Sequence, residues 1–246
     1  MGNQVYGLPP TADQLLEDLV RACAADLAGP TAGSVPSELR LDAPSGTRYA
    51  YALPTAGPPT RSVSAVLNDR RTIRDFAPGP LPAKVLGEVL KATLSQDRRM
   101  ASGETEAGNG LTPVVVVRAA TGIEPGVYEA GAAGNCLYWH GALSQEAWRL
   151  LFFQSQLESA PVLILMAGSP AAAWHRDAAQ GYLRLVRRAG AAAYAGWLAA
   201  LQQGYDGCLM GSTLPSPQLN EAAGFDPAGR RPLIALAIGL RVESPG

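Results

Sequence analysis

Residues 68–76 read Asn-Asp-Arg-Arg-Thr-Ile-Arg-Asp-Phe, and no other stretch of the chain is as informative. Arg70, Arg71 and Arg74 follow a short apolar segment that predicts a helix, and they precede the break at Pro78-Gly79-Pro80. An arginine side chain is permanently charged, and its planar set of donors binds phosphate in bidentate fashion. The stretch therefore predicts an anchor for a phosphorylated cofactor, with a solvated basic turn as the alternative.

Three further blocks follow the arginines along the chain. Residues 122–128 read Gly-Ile-Glu-Pro-Gly-Val-Tyr, residues 182–211 place an alanine-rich helix between spaced glycines, and residues 232–239 read Pro-Leu-Ile-Ala-Leu-Ala-Ile-Gly. Together with the arginines, these blocks resemble the nitroreductase family of FMN enzymes over roughly residues 60–240. The block at 122–128 is similar to a hairpin of the SagB-type, or azoline dehydrogenase, branch of that family.

The resemblance implies an α+β fold of three layers, in which helices flank a mixed, mainly antiparallel sheet. It also implies an intertwined homodimer with FMN at the subunit interface. Residues 62–246 would form the FMN-binding domain. Residues 1–61 would form an amino-terminal helix and a Pro/Gly-rich arm, for which a simple linker is the alternative.

The resemblance also assigns cofactor contacts. Arg70, Thr72 and Arg74 would hold the ribityl-phosphate arm of FMN, with Thr72 replacing the usual serine, and Arg71 belongs to the same predicted site. Further predicted contacts are Gly211 and Ser212 near the flavin N5, Asn109 at the pyrimidine edge, and Arg241 as another phosphate-binding cation. A strand-end glycine, an Asn-Gly turn and an exposed terminal charge are the respective alternatives for Gly211, Asn109 and Arg241.

Azoline dehydrogenases oxidise thiazoline or oxazoline rings in precursor peptides, and a Lys-Tyr pair is associated with their proton step. No lysine follows Lys91 in this chain, and Thr112 stands where the branch has a tyrosine. The general base would then be one of four side chains, namely Tyr182, Tyr194, His175 or Glu158. Two hypotheses follow: an FMN oxidoreductase acting on a peptide or small-molecule natural product, or a degenerate member serving as a scaffold for a biosynthetic partner protein.

The composition limits the remaining classes. The 246 residues are 47% hydrophobic and 17% charged with a net charge of −1, which is ordinary for a globular protein and argues against nucleic acid as a partner. Three scattered cysteines and two histidines predict no metal site. Neither a signal peptide nor an apolar run long enough to cross a bilayer is present, so the chain is predicted to be cytoplasmic.

Hydrophobic periodicity predicts the elements outside these blocks. We expect helices over 12–28, over about 144–157 and over 177–203, and a helix that begins at Pro82. Strands are expected at 48–53, 113–118 and 161–166, with a hairpin joining 126–130 to 135–140. Residues 95–112 are polar and glycine-rich, and they predict a long functional loop.

Overall fold

The computed structural model describes residues 50–106, 110–152, 154–211, 216–226 and 229–242. The strands of these ranges are β1 (Ala50–Ala52), β2 (Thr112–Val117), β3 (Gly126–Ala130), β4 (Cys136–Gly141), β5 (Val162–Gly168), β6 (Asp206–Met210) and β7 (Arg231–Gly239). The helices are α1 (Val63–Asp69), α2 (Ala83–Glu106), α3 (Gln145–Arg149), α4 (Pro170–Gln202) and α5 (Pro217–Ala223), and Ser155–Ser159 form a 3₁₀ helix. The helix predicted over 12–28 lies outside the described residues.

The strands form one sheet in the order β1-β4-β3-β2-β5-β7-β6, and every neighbouring pair is antiparallel. The predicted hairpin is present as β3 and β4, with Ala130 opposite Leu137. The run of four valines forms β2 in the middle of the sheet, and all four side chains are buried. A strand that is apolar at every position fits this place, because the sheet is covered on both faces.

Two hydrophobic cores lie on the two faces of the sheet, and alternate residues of each strand supply them. Val115 and Ile164 pack in the core formed with α2 and α4, whereas Val114 and Leu165 pack in the core formed with α3, the 3₁₀ helix and α5. The α+β arrangement of three layers that the sequence predicts is therefore confirmed.

The prediction of a loop over 95–112 is wrong for most of its length, because α2 continues to Glu106. Packing against α4 overrides the polar composition of this part of the helix. Asp97 is buried and accepts bonds from Arg188 of α4, from Nε to Oδ1 at 2.9 Å and from Nη2 to Oδ2 at 3.1 Å. The second of these carboxylate oxygens also accepts the backbone N–H of Leu111 at 3.2 Å, which fixes the entry to β2.

The helix predicted over about 144–157 is also wrong, since only Gln145–Arg149 are α-helical. Gln154 is extended, and the 3₁₀ helix begins after it. The indole N–H of Trp148 donates to the carbonyl of Glu158 at 3.0 Å. This turn brings the buried side chains of Trp148 and Leu157 into one core, which a continuous helix would not do.

The long helix α4 starts earlier than predicted, at Pro170, and it is interrupted at Asp177 and Ala178. Ala178 has φ 45° and ψ −135°, a conformation that an L-residue rarely adopts. Further along, a Cβ on Gly196 would lie 2.4 Å from Oγ1 of Thr93 in α2, whereas a Cβ on Gly190 would meet no atom within 4 Å. Close helix packing thus requires a glycine at 196 but not at 190.

Part of the predicted arm belongs to the sheet. β1 pairs with β4, and the N–H of Leu53 donates to the carbonyl of Asn135 at 2.8 Å. The N–H of Thr60 donates to the carbonyl of Gln202, at the end of α4, at 3.0 Å. Residues 50–61 are therefore held against the domain, and the role predicted for the preceding residues remains a prediction.

Candidate functional site

The arginine segment, residues 70–74, leaves the end of α1 and runs beside β6, the last strand of the sheet. Thr72 forms a parallel bridge with Gly207 of β6, and the N–H of Ile73 donates to the Gly207 carbonyl at 3.1 Å. Further on, the N–H of Phe76 donates to Oγ of Ser159 at 2.8 Å. These backbone bonds give the segment a fixed path along the sheet edge.

The three arginines of this segment have three different environments. Arg70 stacks on α4, with its Cζ 4.8 Å from the centre of the Trp197 ring, an arrangement typical of a cation–π interaction. Arg71 is exposed, and its Nη1 donates to the carbonyl of Arg70 at 2.9 Å, at the end of α1. Arg74 is exposed and has no counter-ion and no hydrogen bond among the residues that the structure describes.

Arg74 lines a cavity of about 240 Å³ together with Gln154, Leu157 and the end of β6, Cys208–Gly211. A Cβ on Gly211 would meet no atom of the described residues within 4 Å, so these residues leave the backbone there open to close approach by a ligand. An unpaired guanidinium and an accessible backbone are therefore present in one cavity, which we call the Arg74 cavity.

The charge of Arg74 also acts on the nearby thiol of Cys208. Burial raises the pKa of Cys208, and the positive charge of Arg74 opposes that rise. Because burial is the larger of the two effects, the thiol stays protonated at neutral pH. Cys208 therefore contributes a neutral, apolar wall to the cavity.

This cavity fits FMN in two respects. The free guanidinium of Arg74 matches the charge of a phosphate, and the open space over Gly211 admits a planar ring against the backbone. Thr72 lies on the same segment and its side chain is exposed. Arg70 and Arg71 do not line this cavity, so the grouping of all three arginines at one site is not observed.

The other predicted site residues are distributed more widely. Arg241 lies beside a separate cavity of about 440 Å³, where its Nη2 donates to Oδ1 of Asp206 at 3.0 Å. Tyr182 and His175 are exposed on α4, and neither lines the Arg74 cavity. Tyr194 packs edge-on against Trp197, beneath Arg70. The catalytic roles of the two tyrosines and the histidine remain predictions. The cofactor contacts of Asn109 and Ser212 also remain predictions, and these two residues lie outside the described residues.

Gln154 and Leu157 line the cavity although the sequence did not single them out. Neither residue belongs to a motif, and both fell within the helix that was wrongly predicted over 144–157. The break after α3 directs this part of the chain toward β6. No local pattern marks such residues, because their position depends on how distant segments pack.

Comparison with known proteins agrees with this fold. A model of the nitroreductase family matches residues 67–240, and the chain belongs to this family of oxidoreductases. A solved structure from Anabaena variabilis ATCC 29413, assigned to the nitroreductases, has a TM-score of 0.69 at 15% identity over 97% of this chain. The match covers 49% of the Anabaena chain, so the present chain spans about half the length of that protein.

A nitroreductase-assigned structure from Ralstonia eutropha JMP134 gives a TM-score of 0.62 at 20% identity, covering 87% of this chain and 100% of the other. The hypothetical oxidoreductase YcnD from Bacillus subtilis gives 0.50 at 20% identity, covering 74% and 66%. At such identities these likenesses establish the nitroreductase fold alone. No curated protein matches the sequence. Among the described helices, none combines the length and the apolar character that a membrane span requires.

Proposed function

We propose that this protein is an FMN-dependent oxidoreductase that binds the flavin phosphate at Arg74. The observation that carries the proposal is a guanidinium that has no counter-ion among the described residues and that lines the same cavity as Gly211, where these residues leave the β6 backbone open to a ligand. A basic turn with no ligand would not require an adjacent cavity. FMN, when bound, supplies an acceptor for a hydride.

The residues of the cavity have distinct parts in this proposal. Arg74 would bind the phosphate through charge-assisted hydrogen bonds, each of which contributes about 1.5–3 kcal/mol. Gly211 would let the ring approach the backbone, and the side-chain amide of Gln154 offers both a donor and an acceptor at the cavity wall. The protonated Cys208 would exclude water without adding a competing anion.

For the substrate class we propose azoline rings of a peptide, or a related natural-product intermediate, on the basis of the block at 122–128. This block makes a turn at Gly122, with φ 73°, and leads into β3. The Tyr128 side chain is buried, and its hydroxyl donates to the carbonyl of Glu124 at 2.6 Å. The block thus supports the SagB-type branch by sequence likeness and stabilises the hairpin, without contributing to the Arg74 cavity.

We also propose that two copies of the chain assemble around the flavin. Tyr182 and Val186 leave apolar surface exposed on α4, and the exposed fractions of the two residues are 38% and 40%. Gly190, next to them along the helix, has open space over its Cβ position. A second copy packed on this helix face would cover that surface.

The alternative is a scaffold subunit that has lost catalysis. It is favoured by the absence of lysine after Lys91, by Thr112 in place of tyrosine, and by the absence of every candidate base from the lining of the Arg74 cavity. In this alternative a biosynthetic partner protein would bind the domain.

The decisive experiment is chromatographic identification of the cofactor released by heat from protein sized in solution. Stoichiometric FMN supports the proposal, whereas a colourless protein that does not take up added FMN supports the scaffold. Arg74→Ala is expected to weaken FMN binding by at least about tenfold, from the loss of one charge-assisted contact.

Arg71→Ala is the matched control, because it removes the same charge only three residues from Arg74. Among the described residues, the Arg71 side chain donates hydrogen bonds only to backbone carbonyls. Equal FMN loss in both variants would mean that net charge, and not the Arg74 cavity, holds the cofactor.

A further inference from the structure

A second cavity, of about 300 Å³, lies where the end of β2 meets the turn after the arginine segment. It is lined by Phe76, Pro78–Pro80, Arg118–Ala119 and Ser159, and it shares no lining residue with the Arg74 cavity. Its volume is at the lower end of the range for small-molecule sites. The proposed flavin chemistry makes no use of it.

Arg118 is the charged residue of this cavity, and its orientation is fixed. Nε donates to the carbonyl of Ala160 at 2.9 Å, and Nη2 donates to the carbonyl of Ser159 at 2.5 Å. These two bonds occupy the Nε/Nη2 edge of the guanidinium. Among the described residues no acceptor engages the Nη1/Nη2 edge, whose two parallel N–H donors have the geometry that binds a carboxylate in bidentate fashion.

No carboxylate of the described chain pairs with Arg118. The side chain is partly buried, and burial lowers its pKa from the ordinary value, which is the sign of a charge that is incompletely solvated. An anion bound at the free edge would offset this cost. Because the two carbonyls already hold the guanidinium in place, little side-chain entropy is lost when an anion binds.

The other walls favour an anion with an apolar body. Phe76 is buried, and Pro78 and Pro80 present rigid rings with fixed φ angles. One acidic group is near: Oδ1 of Asp75 lies 3.4 Å from Oγ of Ser159. Its negative charge would weaken the binding of any anion, and it offers a second way to test the site.

We propose that this second cavity binds a small carboxylic acid with an aromatic or aliphatic body, held through the free edge of Arg118. The probe is 4-fluorobenzoate, followed by ¹⁹F NMR on the full-length protein with whatever flavin it retains. 4-Fluorobenzyl alcohol is the neutral analogue, and inorganic phosphate is the competitor without an apolar body. We expect 4-fluorobenzoate to bind more tightly than the alcohol and to resist displacement by phosphate.

Arg118→Gln should weaken 4-fluorobenzoate binding by about tenfold or more, as expected for a lost charge-assisted bond. Asp75→Asn should tighten it at low salt, because it removes a like charge. Arg98→Gln is the matched control, since Arg98 also donates to a backbone carbonyl, that of Ala132 at 2.7 Å, but lies away from this cavity. Arg74→Gln separates this site from the proposed flavin site, and it should leave 4-fluorobenzoate affinity unchanged.

Three results would overturn the proposal. The first is equal affinity for the acid and the alcohol, and the second is displacement of 4-fluorobenzoate by equimolar phosphate. The third is that Arg74→Gln loses 4-fluorobenzoate binding whereas Arg118→Gln retains it. If Arg118→Gln does not fold, Arg118→Lys replaces it. This variant keeps the charge but lacks the planar edge, so several-fold weaker binding supports bidentate recognition and unchanged binding refutes it.

Discussion

Removing Arg188 would leave the buried Asp97 carboxylate without its ion-pair partner, and removing Asp97 would cost Arg188 two charge-assisted hydrogen bonds in the protein interior. Both side chains are nearly inaccessible, with exposed fractions of 3% for Asp97 and 2% for Arg188. Breaking a buried pair in this way costs about 3–5 kcal/mol, a large part of the ~5–15 kcal/mol that stabilises a typical domain. We therefore expect Asp97→Leu and Arg188→Met each to reduce the free energy of unfolding by about 3–5 kcal/mol.

The double variant should be less damaging than the two single losses added together. Replacing a buried ion pair by apolar residues is often neutral or even stabilising by about 1–4 kcal/mol. Against this, the N–H of Leu111 would lose its acceptor on Asp97, at a cost of about 1–3 kcal/mol. The double variant is thus expected within about 3 kcal/mol of the wild type, with a coupling energy of several kcal/mol.

The free energy of unfolding of the wild type, the two single variants and the double variant is measured by urea unfolding followed by far-UV circular dichroism. All four proteins are compared at one protein concentration, because association would shift the apparent stability. Arg61→Ala is the control. Its partner Asp69 lies at 2.6 Å, but the pair is exposed, so a loss of only about 0–1 kcal/mol is expected. Additive single effects, or single effects no larger than that of Arg61→Ala, would refute the argument that burial makes this pair important.

Three further predictions concern backbone geometry and pH. Gly190→Ala should stabilise the protein by up to about 1 kcal/mol in thermal unfolding, through helix propensity, whereas Gly196→Ala should destabilise it, because its Cβ would lie 2.4 Å from Oγ1 of Thr93. Similar effects at both positions would contradict the described packing. Ala178→Gly should raise stability by about 1–2 kcal/mol in urea unfolding, since φ is 45° at this residue; a loss would mean that the strain is absent. Burial lowers the pKa of His140 below the ordinary 6.5, with Glu129 opposing this, so the unfolded chain takes up the proton first. Stability should therefore fall as pH drops below 6.5 and through the lowered pKa, and His140→Gln should flatten this slope in urea titrations between pH 7.5 and 5; an unchanged slope would exclude His140 as its source.

Local sequence patterns predicted the secondary structure correctly where a segment carries a strong local signal. The valine-rich run at 113–118 predicted β2, and Pro82 predicted the start of α2. Each of these signals is local, because a run of β-branched residues favours a buried strand and proline is well tolerated at the first turn of a helix. The order of the motifs along the chain was likewise enough to indicate the family.

Local patterns failed where distant residues decide the structure. The polar composition after residue 95 predicted a loop, yet this part of the chain is helical. Its Asp97 pairs with Arg188, which lies 91 positions later in the chain, in α4. Similarly, the segment over 144–157 has helical periodicity, but the requirement to bury both Trp148 and Leu157 in one core breaks it. In both cases tertiary packing supplied more free energy than local propensity.

The sequence by itself determined the class of fold and the presence of three closely spaced arginines, because both follow from residue type and spacing. The tertiary structure alone decided what surrounds each arginine. The bridge between Thr72 and Gly207 fixes the path of the segment, so that Arg70 stacks on Trp197 and Arg74 reaches the cavity at the end of β6. Neighbours in sequence were thus assigned to different surroundings, because side-chain environment depends on which distant elements pack beside each residue.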